Sequence, residues 1–79
     1  MKLWIGNMAP GTTDETLREF VAKYAGNLEC ASIQRVEGDG TRPAAILTFV
    51  GGDLETVPKL ALRLNGMYWQ GHRLTASAT

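Results

Sequence analysis

Apolar residues recur with two different spacings along this chain, and the order of the spacings constrains the fold more than any other feature. Four segments alternate apolar and polar residues, as strands do, and two segments repeat apolar residues three and four positions apart, as helices do. The order is strand, helix, strand, strand, helix, strand. These elements must bury their apolar sides against one another, which favours both helices on one face of a single sheet.

The first helix follows a strand over residues 2–6 and a loop that contains Pro10. Thr12 is expected to cap the free amides at the helix start while Glu15 reaches back to Thr12, and Gly26 is expected to end the helix in a left-handed turn. The apolar residues between these signals have the spacing of one helical face: Leu17, Phe20, Val21 and Tyr24.

The second and third strands are predicted over residues 28–36 and 42–50, joined by an Asp-Gly turn at 39–40 that is typical of a hairpin. Alternation in the second strand puts Arg35 on the inner side together with Ala31, so a twist, bulge or strand end is expected near Arg35. The third strand alternates cleanly, and three of its residues are expected to face inward: Ala45, Leu47 and Phe49.

The second helix is predicted from about Thr56, with a looser turn before it, because Pro58 is tolerated only in a first helical turn. Asn-Gly at 65–66 is expected to end this helix. Its apolar residues repeat the stripe of the first helix: Val57, Leu60, Ala61 and Leu64.

The remaining residues predict a short turn or extended piece over 67–71 and a last strand over 72–77. Trp69 is expected to cover the end of the core and Tyr68 to be exposed or at an edge. Together the elements predict an α+β, ferredoxin-like βαββαβ sandwich, in which two helices cover one face of a four-stranded antiparallel sheet.

Length and composition bound the class of protein. The 79 residues suffice for one small domain, so residues 1–79 are expected to form a single domain. Lys and Arg number 8, and so do Asp and Glu. This balance removes the large basic surplus of many nucleic-acid binders, although charge can still be sorted onto one face. No segment approaches the roughly 20 apolar residues of a membrane helix, so no membrane association is expected.

Catalytic and metal chemistry are not expected. Cys30 is the one cysteine, which excludes an internal disulfide and favours a reducing, cytoplasmic setting. His72 is the one histidine and has no second ligand near it in sequence, so no metal or cofactor is expected. No acid–base constellation is recognisable, which argues against an enzyme.

The predicted fold leaves one sheet face uncovered, and alternation places Trp4 on it. A small domain gains stability by burying its large apolar side chains, so the exposure of a tryptophan on the other side of the sheet has to be explained. One reason is the stacking of an unpaired base on the indole, which is worth roughly 1–3 kcal/mol. The other is packing on Ile46 across the sheet or beneath a partner protein. The side chains predicted on this open face are Lys2, Trp4, Ser32, Gln34, Arg42, Ala44, Ile46, Thr48, Thr75 and Ser77.

Two short segments carry a resemblance to a known family. Residues 3–8 read Leu-Trp-Ile-Gly-Asn-Met and residues 42–49 read Arg-Pro-Ala-Ala-Ile-Leu-Thr-Phe. The first is similar to the first-strand hexamer of the RNA recognition motif (RRM) family, and the second matches half of that family's third-strand octamer. Leu-Asn-Gly at 64–66 and Gly-His-Arg-Leu at 71–74 also resemble the family's passage into its last strand. The resemblance extends over nearly the whole chain and implies the same fold.

The departures from the family pattern bear on function. The family stacks bases on three aromatic positions of the open face. The first is present here as Trp4, whereas Ala44 and Ile46 stand at the other two. The loss of two rings is expected to cost a hundredfold or more in affinity. The loop over residues 37–41 is short and acidic, which repels phosphate.

The resemblance implies a weak single-stranded RNA-binding module. Trp4 is expected to stack a base, and Lys2, Arg42 and Arg73 to contact phosphates. The alternative is an RRM-like protein-interaction domain that uses the same apolar patch of Trp4, Ala44 and Ile46. The residues expected to bind RNA are Lys2, Trp4, Asn7, Gln34, Arg42, Ala44, Ile46, Thr48, Arg73 and Thr75.

Overall fold

The computed structural model describes residues 1–26, 28–36, 43–52 and 54–79, which form two helices and six strands. Their bounds are β1 (Lys2–Gly6), α1 (Asp14–Ala25), β2 (Glu29–Val36), β3 (Ala44–Val50), α2 (Thr56–Leu64), β4 (Tyr68–Trp69), β5 (His72–Arg73) and β6 (Thr75–Ala78).

Four of the strands form one antiparallel sheet in the order β2-β3-β1-β6. The buried residues of α1 and α2 join the inward residues of this sheet in one apolar cluster, with Leu3, Ile5 and Leu47 inaccessible at its centre. Both helices therefore cover the same sheet face. The predicted α+β, ferredoxin-like arrangement is confirmed, and the opposite face of the sheet has no helix over it.

The start of α1 lies one residue later than predicted. Thr13, not Thr12, is the cap, and its hydroxyl oxygen accepts a hydrogen bond from the amide of Thr16 at 3.1 Å. Thr12 is buried and donates its hydroxyl to the carbonyl of Ala9 at 2.6 Å, so it is not available to cap the helix. Gly26, with φ of +63°, ends the helix as predicted.

The irregular point in β2 lies at Ala31 and not near Arg35. Cys30 pairs with Phe49, but the next pair joins Ser32 to Thr48, so Ala31 is an extra residue in the ladder. This bulge turns Cys30 inward and leaves Ala31 exposed, and the predicted inward position of Ala31 is wrong. Arg35 does lie on the helix side, where its Nη1 is 3.1 Å from Oδ1 of Asp14 in α1.

The third strand begins at Ala44 and not at residue 42. Its three predicted inward residues, Ala45, Leu47 and Phe49, are all buried. Pro43 lies just before the strand, a position that its missing amide hydrogen favours. Its carbonyl accepts a hydrogen bond from the amide of Met8 at 3.1 Å. Arg42 and the predicted turn at 39–40 lie outside the described residues.

The second helix begins at Thr56 with Pro58 in its first turn, and all four predicted stripe residues are buried. The helix ends at Leu64, and the amide of Asn65 donates to the carbonyl of Ala61 at 2.9 Å. No helix in the described part of the chain is long and apolar enough to span a membrane.

The predicted last strand over residues 72–77 is in fact two strands. β5 pairs with β4 in a small hairpin, and β6 joins the main sheet beside β1. The hairpin closes through Gln70 and Gly71, whose φ angles of +53° and +79° suit a tight turn. Leu74 lies between the two strands and is fully buried.

Trp69 stacks on Phe20 of α1 at 4.4 Å between ring centroids, which confirms its predicted place at the end of the core.

Candidate nucleic-acid interface

The strand register arranges the side chains of the open face in rows across the sheet. Trp4 lies opposite Ile46 on one side and Ser77 on the other. Ile46 in turn lies opposite Gln34 of β2. One row therefore crosses all four strands, with an indole and an aliphatic side chain at its centre and a polar side chain at each end.

A second row, next to the first, is polar. Lys2 lies opposite Thr48, which is opposite Ser32. Lys2 and Ser32 are exposed, and Thr48 is half-buried. This row brings one positive charge and two hydroxyl groups beside the indole row, a set of groups that suits hydrogen bonds to phosphate, sugar or base edges.

The six-membered ring of the Trp4 indole lies against Gly6 of the same strand. A Cβ atom built on Gly6 would overlap with Cη2 and Cζ2 of Trp4 and would lie 3.0 Å from Oγ1 of Thr75. Gly6 is on the same strand face as Trp4, two residues further along. The ring therefore packs against a backbone that has no side chain, and Trp4 as a whole is half-buried.

An open depression of about 410 Å³ adjoins this ring. Ala44, which is 7% exposed, lines it together with Trp4, Asn7 and Thr75. The small side chain of Ala44 leaves space here where a larger one would fill it.

Asn7 connects the end of β1 to the β4–β5 hairpin. Its φ of +59° is one that Asn adopts more readily than most residues. Its Nδ2 donates a hydrogen bond to the carbonyl of Arg73 at 2.8 Å. The amide side chain is thus held at the rim of the depression.

The three cations predicted to contact phosphate differ in their surroundings. Lys2 projects from the open face, and Arg42 lies outside the described residues. The guanidinium of Arg73 turns to the hairpin, where its Cζ is 5.7 Å from the ring centroid of Tyr68 and its Nε donates to the carbonyl of Gly66 at 3.4 Å. The structure therefore brings Trp4, Asn7, Ala44 and Thr75 together around the depression, with Arg73 at the edge and Lys2 on the other side of Trp4.

The described part of the open face carries little charge. Among its side chains on β1, β2, β3 and β6, the charged ones are Lys2 and Glu29, which lies opposite Val50 at the start of β2. Val36 adds apolar surface, since it lies opposite Ala44 on this face and is 39% exposed. Binding on this surface must rely on stacking and hydrogen bonds more than on ion pairs.

Sequence reasoning missed three residues of this surface: Gly6, Val36 and Tyr68. Gly6 stands at a position where the family hexamer allows any residue, but it lies two residues after a tryptophan on the same strand face, and that spacing is the signal. Val36 follows from the alternation of Ser32 and Gln34 once the bulge at Ala31 is known.

A second cavity, of about 230 Å³, lies between the two helices on the opposite side of the molecule. It is lined by Tyr24 of α1 and by Lys59 and Arg63 of α2, and the Arg63 guanidinium lies 5.3 Å from the Tyr24 ring centroid. Lys59 pairs with Glu55 at 3.5 Å. Because Arg63 lies over the Tyr24 ring and Phe20 also packs against that ring, with 5.4 Å between the ring centroids, this cavity offers no open aromatic face.

Comparison with known proteins supports the fold. The chain is similar to a solved structure described as "Pes4 RRM3 Structure", with a TM-score of 0.77 and 20% sequence identity over 99% of this chain and 89% of that chain. This chain has the RRM fold. No protein-family model matches the sequence, and no curated protein matches it.

Proposed function

We propose that the open sheet face binds single-stranded RNA weakly, with one base stacked on Trp4. The observation that supports this best is the position of the indole, which lies against Gly6 on the face that the helices leave uncovered and is half-buried. Part of an aromatic ring is thereby accessible to solvent, and every base has a π face that can stack on it.

Neighbouring groups supply the rest of the site. Ala44 and Thr75 line the depression beside the ring, and Ile46 extends the apolar surface across the sheet. Gln34, Thr48, Thr75 and Asn7 offer hydrogen bonds to base edges and sugar hydroxyls. Lys2, Arg42 and Arg73 are the proposed phosphate contacts.

Weak binding follows from the same geometry. Ile46 and Ala44 offer apolar contact but no ring at the two positions next to Trp4. A stacked base is worth roughly 1–3 kcal/mol, so each missing ring lowers affinity by about five- to a hundredfold. We propose that such a module has no catalytic role and works in a reducing, cytoplasmic setting.

The test is titration of the intact chain into a fluorescently labelled mixed-sequence RNA, followed by anisotropy at low salt. Trp4→Ala should lower the affinity by about five- to a hundredfold, and Trp4→Phe should retain most of it because a ring remains. Leu62→Ala is the matched control, because Leu62 is 79% exposed on α2, away from the sheet face. Equal affinity of Trp4→Ala and the parent would overturn the proposal.

The second candidate is a protein-docking patch on the same face. It is favoured by the apolar strip that Val36, Ala44, Ile46 and Trp4 form without compensating charge. The variant Ala44→Phe plus Ile46→Phe separates the two, because it restores rings at the missing positions. An RNA-binding face should gain about fivefold or more in RNA affinity. If it gains nothing and the parent also fails to bind RNA, protein docking is the better account.

A further inference from the structure

Tyr68 is the most exposed aromatic residue of this chain, and the core makes no use of it. It lies in β4 with 70% of its surface exposed, whereas Phe20 and Phe49 are buried and Trp4, Tyr24 and Trp69 are half-buried. The ring is carried by a short hairpin that closes through a two-residue turn.

The hairpin holds this ring on its outer side. Consecutive strand residues point to opposite sides, and Trp69 points inward, where it stacks on Phe20 of α1. Tyr68 and its strand partner Arg73 therefore point away from α1.

The outer side of the hairpin continues the surface of the Trp4 site. Asn7 lines the depression beside Trp4 and donates to the backbone carbonyl of Arg73 at 2.8 Å. Three residues at about 3.3 Å each, the step from Asn7 to Arg73 and the cross-strand step from Arg73 to Tyr68, about 5 Å each, separate Trp4 from Tyr68 along this path, on the order of 20 Å. A short stretch of extended RNA can reach both rings.

Arg73 places a group that can bind a phosphate next to the Tyr68 ring. Its guanidinium lies over one face of the Tyr68 ring, at 5.7 Å from the centroid, and its Nε is held by the carbonyl of Gly66. Within the described residues its terminal amino groups form no ion pair. They are therefore available to a phosphate, and the second face of the tyrosine ring is available to a base.

We propose that Tyr68 is a second base-stacking surface, on which a base of the same RNA strand stacks while another base lies on Trp4, with Arg73 at a phosphate between them. This inference rests on the proposed RNA-binding function. It gives the chain a second ring to compensate for those absent at Ala44 and Ile46, displaced from the centre of the sheet to its end.

The test is an NMR titration of the intact chain and its variants with a trinucleotide and with an octanucleotide of mixed sequence. Tyr68→Ala should weaken binding of the octanucleotide by about five- to a hundredfold. It should leave the trinucleotide, which is too short to span both rings, nearly unchanged. Tyr68→Phe should bind the octanucleotide like the parent, since the ring is kept, and Leu62→Ala should bind both like the parent.

The outcomes separate this inference from the proposed function. Loss of octanucleotide affinity in Tyr68→Ala, with rescue in Tyr68→Phe, supports a stacking role for the ring. If Trp4→Ala loses affinity but Tyr68→Ala binds both lengths like the parent, RNA binding stands and the second surface is refuted. If the parent binds neither oligonucleotide, the proposed function and this inference fall together.

Discussion

At the scale of single residues, the position of Trp4 depends on what Gly6 lacks. The indole occupies the space that a Cβ on Gly6 would require. The backbone of Gly6 is not left-handed, so an alanine there meets no conformational strain, and its cost comes from the collision with the ring alone. This one contact sets how closely the indole can approach its own strand.

Gly6→Ala is therefore expected to lift the ring from the sheet and weaken RNA binding by about fivefold. The NMR signal of the Trp4 indole N–H should move in the free protein, before any RNA is added. A double-mutant cycle supplies the control. In a Trp4→Phe background the smaller ring lacks the colliding atoms, so Gly6→Ala should have little effect there. An unchanged indole signal and an unchanged affinity in Gly6→Ala would show that the contact does not position the ring.

At the scale of elements, the sequence predicts the type of each helix and strand better than its local irregularities. The stripe of α2 and the alternation of β3 were recoverable because each residue on one face is buried. The bulge at Ala31 was not, since Cys30 and Ala31 are both small enough to lie on either face. The sequence predicted Thr12 as the cap, whereas the structure has Thr13. Two adjacent threonines give the same sequence signal, and only tertiary packing buries one of them.

The β4–β5 hairpin is expected to contribute to stability through one side chain. Trp69→Ala removes the ring stacked on Phe20 and should lower the free energy of unfolding by about 3 kcal/mol, as for other large aromatic residues packed on a core. Tyr68→Ala on the adjacent, exposed position should change it by less than about 0.5 kcal/mol. Urea denaturation of both variants checks the pair. Equal losses would mean that the hairpin is not anchored through Trp69.

At the scale of the whole molecule, the order of the elements was sufficient to predict the fold. Two amphipathic helices and four half-apolar strands have few ways to share one core, and the structure adopts the predicted one. The candidate site was only partly predictable. Alternation placed Trp4 on the open face, but the direction of its ring, the link from Asn7 to Arg73 and the outward turn of Tyr68 all depend on contacts between residues distant in sequence.

The neutral chain should give RNA binding that depends only weakly on salt. Eight basic residues balance eight acidic ones, and the proposed phosphate contacts are Lys2, Arg42 and Arg73. For single strands the slope of log affinity against log salt is about −0.7 for each phosphate contact, so two or three contacts predict a slope of roughly −1.4 to −2.1. Anisotropy titrations over a series of salt concentrations measure it. A much steeper slope would mean that binding is driven by charge on a surface other than this one.

The central claim is that a base stacks on the indole of Trp4, and the two tryptophans of this chain provide a direct measurement with its own control. Each indole N–H gives a separate NMR signal, one from Trp4 on the open face and one from Trp69 packed on Phe20. On titration with a trinucleotide, which is too short to reach from Trp4 to Tyr68 beside Trp69, the account predicts that the Trp4 signal moves progressively to saturation while the Trp69 signal stays in place. A Trp4 signal that does not move while RNA binds, or two signals that move together, would contradict it.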